Sequence, residues 1–428
     1  MTALLNRTEP PHSLPLDEGH FGQPECVELH NGIKIWHLNS GSQEVVRLEF
    51  VFHAGTVHDT NPLTATLCSS LLQEGTSKRN SAQISEAIDC YGAFLEMEAD
   101  KDFAYVTLYA LKRYYKHTLP IVLELIQDSI FPQKEFSQML QNYEQKFRVN
   151  IQKVSFLASR GFQKAVFDGS PYGNIAESES FTQVSLNHIK DFSRKHYSLE
   201  RCHVMLSGFI DSEVLDATIG SLSGVEVKAN FFNPDTNTNS KVSSSAKYWI
   251  EKEDALQSAI RIGRRMFTRS HPDFFGMKVL CTVLGGYFGS RLMSNIREDK
   301  GYTYGIGAGL MAYRSDGWFY ISTEVGTDVT QNALKEIYIE MSRLRSELIP
   351  EEELTLVKNY LNGQLLKSFD GPFEQMDRFK TIAFMGGSTS YYENYRHTIN
   401  TITSEELNTL ANRWLQEKDL IELVAGKK

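Results

Sequence analysis

Apolar positions along the 428-residue chain change period in a set order, and that order runs twice. Residues 45–55 (VVRLEFVFHAG) alternate and are rich in β-branched side chains, which predicts a strand. Over 62–74, Leu63, Leu67 and Leu71 recur at four-residue spacing ahead of Gly75, the pattern of a helix closed by glycine. Residues 81–91 put Ile84, Ala87, Ile88 and Tyr91 on one helical face. Strand-like segments at 93–98 and 103–111 follow, then long helical patterns over 114–130, 133–152 and 156–167. A shorter helix at 184–197 and a strand at 202–210 end the first pass. The second pass opens with a strand at 257–264, helices at 272–284 and 290–298, and strands at 302–312 and 317–325. Helices at 329–348, 351–368 and 373–384, a short helix at 404–415 and a strand at 419–425 complete it.

Between the passes lies NPDTNTNSKVSSS (233–245), which has the composition of a linker. Strands first, helices later and one returning strand predict an α+β fold. We expect two homologous domains, residues 1–232 and 247–428, joined by a linker at 233–246. Each would be a mainly antiparallel sheet with helices packed on one face.

Composition narrows the partners. The net charge is −9 and no long block of Lys or Arg stands out, so the footprint for nucleic acid or an anionic membrane is missing. Five scattered cysteines without C-x-x-C spacing argue against a disulfide framework or a cysteine zinc site and favour a reducing compartment. The first residues lack the apolar core of a signal peptide, and no stretch approaches the roughly 18 apolar residues of a membrane span. A cytoplasmic protein is expected.

The stretch HAGTVHDTNPLTATLCSSLLQEGTSKRNSAQISEAIDCYGAFLE resembles the opening of the insulinase/pitrilysin family of zinc peptidases, to which the mitochondrial processing peptidases belong. In that family a strand ending in Ala-Gly leads to a helix bearing the inverted motif H-x-x-E-H, closed by a Gly-Thr pair that Gly75-Thr76 matches. By the resemblance, Thr66 and Ser70 occupy the histidine positions and Ser69 that of the catalytic glutamate. A third ligand, a glutamate in a later helix, would fall near Lys146 or Phe147, with Glu144 the nearest carboxylate. Catalytic zinc requires three nitrogen or oxygen ligands and an open position for water, and neutral alcohols do not replace imidazoles. A serine at the glutamate position also leaves no general base. No H-x-x-E-H, H-E-x-x-H or H-x-x-x-H occurs elsewhere, so no metal is expected in this chain. His53 and His58 precede the degenerate helix and read as hydrogen-bonded structural residues.

The second half carries GGYFGSRLMSNIREDKGYTYGIGAG (285–309), which resembles the family's C-terminal motif. Arg297 and Tyr304 match the spacing of an arginine and a tyrosine that, by the resemblance, hold the substrate backbone and stabilise the oxyanion across a cleft from zinc. The glycines do not form G-x-x-x-x-G-K-[ST], which excludes a phosphate loop. The resemblance runs from about residue 23 to residue 425. It implies a non-catalytic, substrate-binding subunit of a heterodimeric peptidase acting on unfolded peptides. Arg297 and Tyr304 would face the zinc of a partner subunit, and Ala93, Phe94, Leu95, Glu96 and Met97 would form the edge that takes up peptide as an added strand. A homodimeric peptide binder and a scaffold subunit are the competing readings; retention of both Arg297 and Tyr304 favours the heterodimeric subunit over a scaffold.

Overall fold

The structure, a computed structural model, describes residues 22–225, 245–384 and 390–428. The first half opens with β1 (Glu25–Glu28), β2 (Lys34–Asn39) and β3 (Val45–Phe52), then α1 (Thr64–Leu71) and α2 (Ser81–Asp89). β4 (Phe94–Ala99), β5 (Ala104–Leu111), α3 (Tyr115–Asp128), α4 (Gln133–Asn150) and α5 (Val154–Val166) follow. The half closes with α6 (Ser180–Gln183), α7 (Leu186–His196), β6 (Cys202–Gly208) and α8 (Ser212–Ser223). Side chains reinforce several helix starts: Asn80 and Gln83 cap α2 reciprocally, as Ser185 and His188 do α7.

The second half runs β7 (Ala246–Glu251), β8 (Gln257–Met266), α9 (Phe274–Cys281), β9 (Thr303–Ala312) and β10 (Gly317–Gly326). Helices α10 (Thr330–Ser346), α11 (Glu351–Lys367), α12 (Pro372–Phe384), α13 (Tyr391–Thr401) and α14 (Ser404–Trp414) precede β11 (Ile421–Gly426). Two π-helical stretches, Thr282–Gly286 and Met293–Asp299, lie between α9 and β9. Of the linker expected at 233–246, residues 233–244 lie outside the described residues, and Ala246 already belongs to β7.

The two sheets repeat one design. Strand order is β1-β2-β6-β3-β5-β4 in the first and β7-β11-β8-β10-β9 in the second. The orders coincide once β1 is set aside. In both, one parallel pair (β2 with β6, β7 with β11) adjoins an otherwise antiparallel sheet. Gly208 ends β6 at φ 112°, and a Cβ there would lie 2.2 Å from the Val45 carbonyl oxygen, so only glycine lets β6 pass β3. Among the described residues no helix is long and apolar enough to cross a membrane, and Cys26, Cys68, Cys90, Cys202 and Cys281 are free thiols.

Each half keeps most of its helices on one face of its own sheet, around a core of residues such as Leu48, Phe50, Leu67 and Val122 in the first half and Ile262, Leu280, Phe319 and Ile337 in the second. The opposite face receives a helix from the other half. Ala158, Phe162 and Val166 of α5 pack on Ala259, Ile421 and Leu423 of the second sheet. Met376 of α12, with Phe379 and Phe384, packs on Leu38, Val51 and Met205 of the first. Polar contacts fasten both joints. Arg47 of β3, almost wholly buried, forms a two-pronged pair with Asp377 of α12 at 2.8 and 3.1 Å. Buried Asp102 accepts from the Tyr172 hydroxyl at 2.5 Å and from the Arg314 backbone N–H at 3.0 Å, while Tyr172 stacks on Tyr313 at 4.7 Å.

Candidate functional site

On α1, Thr66 and Ser70 lie one turn apart on a half-buried face, and Ser69 is 1% exposed. The Ser70 hydroxyl lies 3.1 Å from the Thr66 carbonyl oxygen and 3.1 Å from the hydroxyl of Tyr143 on α4. Tyr143 stands one turn ahead of positions 146 and 147, and the Lys146 ammonium sits over its ring at 5.7 Å. Phe147 instead meets Phe156 edge-on and Phe181 at a tilt, and Glu144, partly exposed, forms an ion pair with Arg148. The Ser69 hydroxyl is sealed beside the buried phenol of Tyr197, with no well-aligned hydrogen bond to either.

The carboxylate nearest the start of α1 in sequence is Asp59, and it is already committed. It accepts from the Ala65 N–H at 2.7 Å, and burial pushes its pKa up to about 7. Two alcohols, a phenol and a lysine do not make a zinc site. Among the described residues no group of three or more His, Cys, Asp or Glu is placed to hold a metal.

His53 and His58 belong to a cluster at the joint between the halves. The His53 carbonyl oxygen lies 2.9 Å from Nδ1 of His196, and its own Nδ1 lies 3.3 Å from Nη1 of Arg314. His58 stacks on His196 at 5.1 Å, and His203 meets His53 edge-on at 5.7 Å. Burial first, and neighbouring cations second, lower His53 to about 3 and His58 and His203 to about 4. These rings are uncharged at neutral pH.

Arg297 lies in the second π-helical stretch, a geometry often found at functional positions. Its guanidinium is 4.8 Å from the ring centre of Phe288 and 5.2 Å from that of Tyr304, which stands on β9 and is 92% exposed. The stretch is pinned from behind. Arg291 forms a forked pair with Glu353 at 2.8 Å on both prongs, and the Asn295 amide donates to Glu336 and Glu340 at 3.1 and 2.7 Å. Gly285 lets β9 come close, because a Cβ there would lie 2.5 Å from the Ala308 backbone nitrogen. Arg297 has no carboxylate partner among the described residues, so its charge stays available to an outside oxyanion. Sequence reasoning missed Phe288; the signal was an exposed aromatic in a glycine-rich run.

β4 is the edge strand of the first sheet, paired among the described residues only with β5. Phe94 is 61% exposed, Glu96 is exposed, and Leu95 and Met97 are half-buried against the core. Ala93 lies just before the strand, its N–H donated to the Ile88 carbonyl. The free side of β4 offers main-chain donors and acceptors to an added strand.

A family profile described as "Peptidase M16 inactive domain" matches residues 183–361. An "uncharacterized zinc protease YmxG" of Bacillus subtilis is 20% identical over 402 residues, covering 92% of this chain and 96% of that protein. A "non-peptidase homolog YmxG" of Helicobacter pylori is 23% identical, with 87% of each chain covered. Among solved structures, a peptidase M16 inactive domain from Pseudomonas fluorescens superposes with a TM-score of 0.83 at 22% identity, covering 95% of this chain and 98% of that one. A protease from Helicobacter pylori gives 0.88 at 14% identity, covering 95% and 100%. The matched profile and relatives aligned over most of both chains make the chain similar to the M16 (pitrilysin/insulinase) family, and the solved structures share its two-sheet fold.

Proposed function

We propose that the chain is a non-catalytic, peptide-binding subunit that pairs with a zinc-bearing subunit of the same family and supplies Arg297 and Tyr304 to its partner's site. One observation carries the reading. The metal-motif positions of the degenerate helix hold only the hydroxyls of Thr66, Ser69 and Ser70, with Ser70 hydrogen-bonded to Tyr143, while Arg297, without a carboxylate partner among the described residues, keeps its guanidinium between Phe288 and an almost fully exposed Tyr304. A scaffold has no use for an uncompensated cation held open in this way. In the assembly, Arg297 and Tyr304 would donate to the oxygen that gains negative charge as the peptide bond is attacked. An unfolded peptide would lie along β4 as an extra strand, with backbone bonds giving affinity for many sequences. Zinc and its general base would belong to the partner alone. The division into domains 1–232 and 247–428, joined at 233–246, is part of the same proposal and is supported by the matching strand orders.

The test is reconstitution. The purified chain should hold far less than one equivalent of zinc and leave a quenched fluorescent peptide intact, and cleavage should appear on mixing with an H-x-x-E-H relative from the same source. A full equivalent of zinc, or cleavage by this chain alone, would overturn the proposal. The Helicobacter pylori homologue is named a non-peptidase, which is compatible with one other reading, a peptide-binding homologue without any part in proteolysis. Tight peptide binding with no effect on a partner's turnover would select it.

A further inference from the structure

We infer that the second half carries an oxyanion site, separate from Arg297 and Tyr304, in which Arg269, Lys278 and Arg378 take a phosphate-type group against the rings of Tyr391, Tyr392 and Tyr395. The residues come from four places in the chain: Arg269 from the segment after β8, Lys278 from α9, Arg378 from α12 and the tyrosines from α13. The Lys278 ammonium is 4.1 Å from the ring centre of Tyr395. Phe275 closes the aromatic wall at 4.9 Å from Tyr391 and 5.3 Å from Tyr395. Arg269 donates to the Ala312 carbonyl at 2.7 Å and Arg378 to the Ser368 carbonyl at 3.4 Å, and the Tyr392 hydroxyl donates to the Arg378 carbonyl at 3.1 Å.

What singles out this cluster is its charge. None of the three cations forms an ion pair among the described residues, although Arg264, Arg265, Arg291 and Arg413 of the same half each do. The cations acting on the half-buried Lys278 ammonium are Arg269 and Arg378, no carboxylate acts on it, and burial together with these two lowers its pKa to about 8. Withdrawing cations from water is costly unless an anion answers them. Two guanidinium forks and an ammonium present donors to several oxygens at once, which suits a tetrahedral oxyanion better than a planar carboxylate. The group could come as free phosphate or as the phosphate of a small ester, and the chemistry at the site is the same for both.

The experiment uses the full chain at fixed ionic strength, with chloride exchanged for inorganic phosphate or for glycerol 3-phosphate. Two readouts are followed: the thermal midpoint, and protection of Lys278 from reductive methylation, measured by mass spectrometry. We expect both to respond saturably, and half-saturation to rise about tenfold or more in Lys278→Met and in Arg378→Gln, the loss of one charge-assisted contact. Arg378 is exposed, so its variant decides the matter even if Lys278→Met folds poorly. A response to both compounds assigns an ester-borne group and a response to inorganic phosphate alone assigns the free ion; either supports the site. No saturable response, or the same response in wild type and both variants, overturns it.

Discussion

Replacing His203 by Phe should make folding less sensitive to acid, by about 2 kcal/mol between pH 7.5 and pH 5. His203 lies in β6, with its ring 4.5 Å from Phe384 and 5.7 Å from His53. Burial, then Arg314 and Lys34, hold its pKa down to about 4. As pH falls through the ordinary value near 6.5, the unfolded chain binds a proton at this position and the folded chain does not. The stability this ring contributes is therefore complete above about pH 6.5 and is lost on the way down to about pH 4. At pH 5 the unfolded state gains about RT ln(1 + 10^1.5), close to 2 kcal/mol, for each such histidine. His53 and His58, lowered to about 3 and about 4, behave alike, so the three rings together remove about 6 kcal/mol. Asp59 works in the opposite sense. Its folded pKa of about 7 means that the native state takes up a proton first, returning about 2.5 kcal/mol at pH 5. These four groups leave a net loss of about 3–4 kcal/mol. Phenylalanine keeps the packing on Phe384 and cannot be protonated. Urea unfolding followed by tryptophan fluorescence at the two pH values, in wild type and variant, measures the difference. An unchanged pH dependence in the variant would refute the assignment of a neutral, buried ring.

In a reconstituted complex, Arg297→Ala or Tyr304→Phe should lower turnover tenfold or more, roughly the loss of an oxyanion donor, and an unchanged rate would make the pair structural. Thr66→His with Ser70→His should still hold little zinc by elemental analysis, because no carboxylate faces α1 from α4. Adding Tyr143→Glu, at the position that touches Ser70, should raise the content toward one equivalent. Asp377→Ala should cost about 2–3 kcal/mol in denaturant unfolding, since Arg47 would be left buried without its carboxylate, and a smaller loss would show that water reaches it.

Much of the fold could be read from periodicity, and what escaped it has a common cause. β3, β5 and β8 carry long apolar or β-branched runs and were expected within a few residues of where they lie. β2 and β7 were not. KIWHLN and AKYWIE are short, interrupted by charge, and become strands because β6 and β11 offer a parallel partner more than 160 residues away in sequence. The exchange of α5 and α12 was invisible for the same reason: an amphipathic pattern shows that a face is buried, not which sheet buries it. At the site, the loss of imidazoles could be read directly. Tyr143 could not, because only the crossing of α1 and α4 brings it to Ser70.

The exchange of α5 and α12 constrains how the molecule can be taken apart. A chain severed between residues 225 and 245 would yield two fragments, each missing the helix that covers the outer face of its own sheet. Neither fragment should stay soluble alone, while the two expressed together should find each other and rebuild a nicked but native particle. Stability in this protein is thus held jointly, and mutations in one fragment should be felt as unfolding of the other.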